Sequence, residues 1–244
     1  MREAPLISKR QLVGVTLLFL NLLIVNEVYK NSVILRLNSM LFICMLNITF
    51  LPYIKHKLNY SVWVQSFLYE LPMALTFVFL QPKIREVNIK IIAAISIAMT
   101  MIVMLLGIND FIKNIKYQYI LSAISKKSCV IKIIELVCKI GIEEVFFRGF
   151  IIDSLRYEIG RASILVSAIF FVYFHYVNRW AIYAYNFKIY IMQFLLGIIC
   201  GMAYYAAGLI LIPILCHMLF DLSEFIILVK RTQVNKNIVD WNDI

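Results

Sequence analysis

Apolar residues run along this chain in long stretches broken by short polar joints, not in the alternation of a half-buried strand or the narrow stripe of a surface helix. A membrane-spanning helix needs roughly 20 mostly apolar residues. The runs predict helices near residues 11–28, 37–54, 62–81, 90–108, 130–155, 162–182, 188–207 and 208–229. Two joints are longer and more polar: 55–61, with Lys55, His56 and Lys57, and 109–129, with Lys113, Lys116, Lys126 and Lys127. No internal repeat, low-complexity tract or Pro/Gly/Ser linker divides the chain, so residues 1–244 read as one integral membrane domain.

Composition agrees with a bilayer rather than water as the solvent. With 62% hydrophobic and only 16% charged residues, and a mean hydropathy of +0.85, the chain has more apolar surface than a soluble domain buries. The expected fold is an all-α polytopic transmembrane bundle of about eight helices. The net charge of +10 does not point to nucleic acid, because Lys and Arg sit at the ends of apolar runs and not along one face interleaved with aromatics. It reads instead as orientation.

With a cytoplasmic N-terminus, the inside joints collect Arg2, Lys9, Arg10, Lys55, Lys57, Lys113, Lys116, Lys126, Lys127, Arg179, Lys188, Lys230, Arg231 and Lys236. The outside joints hold Lys30, Arg36, Lys83, Arg85, Lys90, Arg156 and Arg161, a bias of about two to one that places both termini inside. The charged start (Arg2, Glu3, Lys9, Arg10) precedes an apolar run from Leu12 to Val25 with no small-residue cleavage site, so it reads as a retained first helix. Cys44, Cys129, Cys138, Cys200 and Cys216 form no C-x-x-C pair and read as reduced core residues.

The fifth segment is the most polar. Lys132, Glu135, Lys139 and Glu143 recur at helical spacing and share a face that does not suit lipid. Either this face looks into the protein, or residues up to Lys139 lie flat in the interface and the span starts near Gly141.

Ionisable groups inside a span are costly, so each is a candidate for function. Gly141-Ile142-Glu143-Glu144-Val145-Phe146-Phe147-Arg148-Gly149 places Glu144 and Arg148 four apart, where they can pair. Glu143, about 100° around the helix, is left without that partner and is the candidate general base for water. The alternative makes both glutamates structural ion-pair partners. A second cluster is Phe171-Val172-Tyr173-Phe174-His175, followed by Asn178 and Arg179. A third, around Pro213, sets His217 and Asp221 one turn apart, where a carboxylate can fix a histidine tautomer or both can address one ligand.

These residues resemble the CAAX-protease and bacteriocin-processing family of membrane proteins, whose pattern is E-E-x-x-x-R, then F-x-x-x-H, then H-x-x-x-N or H-x-x-x-D. Here the pattern falls on Glu143-Glu144 to Arg148, Phe171 to His175, and His217 to Asp221, in the family's order and each in its own helix. The similarity covers about residues 130–229 and includes Gly149, Leu155 and Ser167. It implies a bundle around a water-filled, membrane-embedded polar cavity. It also implies catalytic roles for Glu143 and His175 in activating water and for His217 with Asp221 in stabilising the oxyanion, with Glu144 and Arg148 supporting them. Asn is the commoner residue at the last position, and an ionised Asp221 would repel an oxyanion unless it acts through His217. The family implies no cofactor. Zinc is the alternative, with Glu143, His175 and His217 as N and O ligands, although no H-E-x-x-H helix is present.

The expected activity is therefore that of an intramembrane endopeptidase acting on a peptide or membrane-protein substrate. A non-catalytic relative serving bacteriocin immunity or signalling would be expected to lose Glu143, His175 or His217, and all three are here. A transporter would need paired broken helices, for which Glu70 and Pro72 are the one hint. Richness in Ile, Lys and Asn suggests a low-GC bacterium and its cell membrane, where a secreted peptide precursor is a more natural substrate than a prenylated tail.

Overall fold

The computed structural model describes residues 9–28, 32–58, 62–79, 84–118, 123–177 and 187–242. Arg2, Lys30, Lys83, Asn178 and Arg179 lie outside the described residues. Within them the chain is helical and contains no strand: α1 (Lys9–Val28), α2 (Ser32–Leu58), α3 (Val62–Ala74) with a 3-10 turn at Leu75–Phe79, α4 (Ile89–Leu106), α5 (Ile108–Gln118), α6 (Lys126–Glu144), a π-helical stretch Val145–Ile152, α7 (Asp153–Ile159), α8 (Ala162–Val177), α9 (Phe187–Ala207), α10 (Leu211–Phe220) and α11 (Leu222–Asn242). The described parts of the expected apolar segments are mainly helical, and residues 80–81 and 178–182 of those segments lie outside the described residues. Three helices, Val33–Leu51 within α2, α4 and α9, are long and apolar enough to cross a membrane, and a fourth span results if α10 and α11 count as one bent segment.

Three differences from the sequence reading have local causes. The polar joint at 109–129 contains α5, whose Ile108, Phe111, Ile112 and Ile115 fall at i, i+3, i+4 and i+7, the spacing of an amphipathic helix. The fifth segment does not divide near Gly141. Its backbone stays helical through Glu144 and Val145 and onward to Ile159, and α6 packs against α3, α10 and α11 rather than lying apart. The eighth segment breaks at Asp221, where φ −87° and ψ 14° turn the chain by 58° between α10 and α11.

All eight residues of the π-helical stretch are buried. A helix apolar on every side belongs in the middle of a bundle, and here Phe146, Phe147, Phe150 and Ile151 carry the core that joins α2, α3, α8 and α9. Four of the five cysteines are buried as expected, whereas Cys138 is exposed.

Two close approaches fix the helices around this centre. Pro72 has no N–H for the Leu68 carbonyl one turn earlier, and Asn47 of α2 supplies the missing donor at 2.7 Å, with a second contact to the Tyr69 carbonyl at 3.1 Å. The break in α3 is thus satisfied inside the bundle, as a structural kink requires. On the other side, Gly197 and Gly201, four apart in α9, let α8 approach: a Cβ at Gly197 would lie 3.0 Å from that of Ala168, and one at Gly201 would lie 2.8 Å from Ile164 Cγ2.

Gly197→Val should therefore cost about 1–3 kcal/mol by overpacking the α8–α9 contact. Gly141→Ala, where an added Cβ meets nothing within 4 Å, is the control and should leave stability unchanged. Thermal unfolding of the detergent-solubilised proteins measures both, and equal midpoints would remove the argument for a close helix contact.

Candidate active site

The centre of the site is built by one helix step. Glu143 and Glu144 end α6 and point about 100° apart, so they meet different neighbours. Glu144 turns inward. Its Oε2 lies 2.9 Å from Arg148 Nε, its Oε1 accepts from Arg148 Nη2 at 3.3 Å, and both side chains are fully buried. Arg148 Nη1 donates to Ser167 Oγ on α8 at 3.1 Å, and Ser167 in turn donates to the Phe147 carbonyl at 2.6 Å. The guanidinium also lies 4.8 Å from the centre of the Phe171 ring. Every polar edge of the buried cation thus has a partner or an aromatic face, the condition under which such a charge is tolerated.

Glu144 has a second task. Its Oε1 is 2.8 Å from Nδ1 of His217 on α10. The sequence reading left Asp221, one turn away, either to fix the His217 tautomer or to address a ligand with it. The structure gives it to Glu144, 73 positions earlier in the chain, while Asp221 Oδ2 stands 3.6 Å from the other ring nitrogen, Nε2. Asp221 is the C-cap of α10, at the bend, and its side chain is 29% exposed against 5% for His217.

His175 is held in the same sense. Its Nδ1 is 2.8 Å from the Phe171 carbonyl one turn earlier, and its ring sits 4.5 Å from that of Phe171. Since Nδ1 of each histidine meets an acceptor, Nδ1 carries the hydrogen, and a neutral ring presents its Nε2 lone pair to the opposite side. That side is Glu143. Its Oε2 lies 4.0 Å from Nε2 of His175 and 4.0 Å from Nε2 of His217. Its Oε1 has no hydrogen-bond partner and is approached at 3.7 Å by Lys139 Nζ, one turn back on α6.

All six expected residues thus occupy one cluster drawn from α6, the π-helical stretch, α8 and α10. Glu143 is 2% exposed, and exposure grows toward Asp221 and Lys139, whose side chain is 41% exposed. The site therefore opens on the side of α11 and the start of α6. Ser167, Lys139 and the Phe171 carbonyl belong to the cluster in ways the sequence pattern did not assign. Lys139 shared the polar face of the fifth segment with Glu143, and that spacing was the available signal.

For zinc, N and O ligands would stand about 2.0–2.2 Å from one centre, which sets tetrahedral ligand atoms roughly 3.3–3.6 Å apart. The Glu143–His175 and Glu143–His217 separations are wider, and among the described residues no group of three or more His, Cys, Asp or Glu is arranged to hold a metal ion.

Residues 125–223 match the family model described as Rce1-like, type II CAAX prenyl endopeptidase. No curated protein and no solved structure matches the chain. The matched segment runs from the N-cap of α6 to the start of α11 and contains all six clustered residues. With the three motifs carried on separate helices and meeting in one buried site, residues 125–223, less than half of the chain, are similar to the CAAX-protease family.

Proposed function

We propose that the chain is an intramembrane endopeptidase that hydrolyses a peptide bond with water activated by Glu143, and that no metal takes part in the step. The observation that carries this reading is the position of Glu143 Oε2, 4.0 Å from Nε2 of both histidines. A water bonded to Oε2 at about 2.8 Å also reaches His175 Nε2. Glu143 takes its proton, and the oxygen attacks the scissile carbonyl carbon. His217, with carboxylate oxygens of Glu144, Asp221 and Glu143 at 2.8, 3.6 and 4.0 Å, can carry a positive charge and offer Nε2–H to the developing oxyanion. Asp221 then acts through His217 and does not meet the oxyanion itself. When the tetrahedral intermediate collapses, the proton held by Glu143 passes to the leaving amine.

The substrate class is a peptide or membrane-tethered protein, with a secreted peptide precursor in a bacterial cell membrane as the favoured example. Both termini are cytoplasmic in this reading, as the distribution of basic residues indicates. Reporter tags at the two ends check this, and opposite faces would remove it.

Two variants separate the glutamates. Glu143→Gln keeps the shape and loses the base, so cleavage of a reporter peptide should fall to background in a protein of normal folded yield. Glu144→Gln leaves Arg148 buried without its counter-charge and should cost about 3–5 kcal/mol of stability, seen as low yield and early thermal unfolding. Residual activity equal in both variants would defeat the division of roles. A normal rate in Glu143→Gln would remove Glu143 as the base, and no cleavage by the unaltered protein would favour a non-catalytic partner function on the same fold.

Preincubation with a zinc chelator should leave the cleavage rate unchanged. Loss of activity restored by added zinc would instead assign water activation to a metal held by Glu143, His175 and His217.

A further inference from the structure

A polar cavity lies further along the same continuous helix. It measures about 280 Å³ and is lined among others by Arg36 of α2, Phe79, and Asp153, Ser154, Arg156 and Tyr157 of α7. None of these residues belongs to the cluster around Glu143. Asp153 is ten residues on from Glu143, roughly 15 Å along a helix axis. That is half the hydrocarbon thickness of about 30 Å, so with Glu143 near the middle of the bilayer this cavity falls at headgroup depth.

Its charges are unevenly satisfied. Asp153 is the one carboxylate in the lining, and it is already engaged: Oδ1 lies 3.2 Å from Arg156 Nη1, and Oδ2 accepts from Tyr204 at 2.7 Å. Arg156 also donates to the Tyr205 carbonyl at 3.3 Å and stacks on the Tyr205 ring at 4.6 Å. Arg36 meets only the Phe79 ring, at 5.0 Å, and among the described residues no carboxylate lies within ion-pair distance of it. Two guanidinium groups against one committed carboxylate, with the Ser154 and Tyr157 hydroxyls beside them, make a site for an anion with several acceptor oxygens. Apolar side chains next to it face outward: Val78 and Tyr157 are each 80% exposed. In a bilayer they would meet acyl chains and the interface.

We propose that this cavity binds a phosphate group, delivered by the headgroup of an anionic phospholipid, and that Arg36 is its principal free cation. The proposal is independent of the peptidase reading, because its test needs no turnover.

The full-length protein in a neutral detergent is titrated with phosphatidylglycerol, with phosphatidylcholine and with inorganic phosphate, and the thermal midpoint is followed. Phosphatidylglycerol should raise the midpoint, and phosphatidylcholine should do so far less. In R36Q the phosphatidylglycerol concentration required should rise about ten-fold, the loss of one charge-assisted contact, whereas R36K should retain part of the affinity. If R36Q folds poorly, salt decides: binding to the native protein should weaken steeply with ionic strength. Stabilisation by inorganic phosphate alone, lost in R36Q, would keep the phosphate site and assign it to a soluble anion. Equal effects of the two lipids, salt-independent binding, or an unchanged R36Q would overturn it.

Discussion

A fully buried guanidinium is the group to which the rest of the site must conform. Arg148 is the largest fully buried side chain among the described residues, and an unpaired cation at such a place would cost several kcal/mol. Its partners come from three directions: Glu144 along its own helix, Ser167 from α8, and the face of Phe171, also from α8. Because Glu144 also grips His217, the same carboxylate reaches α10. The electrostatic requirement of one residue therefore orders three helices whose apolar faces alone would not fix their rotation. Lipid cannot substitute, since it offers neither donor nor acceptor.

The two adjacent glutamates divide the work by geometry. Glu144 has its charge balanced by Arg148, and its Oε1 meets both Arg148 and His217, so the proposed mechanism gives it a structural part. Among the described residues, Glu143 is approached by the half-exposed Lys139 and stands 4.0 Å from the Nε2 atoms of two imidazoles. One is a scaffold for the other's chemistry. The π-helical stretch that starts immediately afterwards belongs to the same arrangement, since such bulges concentrate at functional sites and this one carries Arg148 through the core.

What could be read in the sequence follows the range of the interaction. The Glu144–Arg148 pair is an i, i+4 contact, and the six polar residues stand out because ionisable groups are rare in apolar runs, so both were legible. The Glu144–His217 bond spans 73 positions and leaves no local periodicity, so the sequence offered only the nearer Asp221 as a partner for His217. Continuity of the fifth segment depended on whether its polar face meets water or protein, a matter of tertiary packing. The bend at Asp221 was hidden because no Pro or Gly marks it. The α3 kink was visible as Pro72, but its repair by Asn47 is again a contact between helices.

That bend has a chemical consequence for the departure from the commoner Asn. Asp221 follows His217 by one turn, its N–H bonding the His217 carbonyl at 2.9 Å, and adds a third carboxylate to the cluster that holds Glu143, Glu144 and one guanidinium. The bend follows it directly, so Asp221 stands at the helix end, 29% exposed, with its oxygen 3.6 Å from His217. An acid is tolerated there because it stands at the rim and because the imidazole, not the carboxylate, faces Glu143. In the proposed mechanism that position lets Asp221 act on His217 and not on the oxyanion itself.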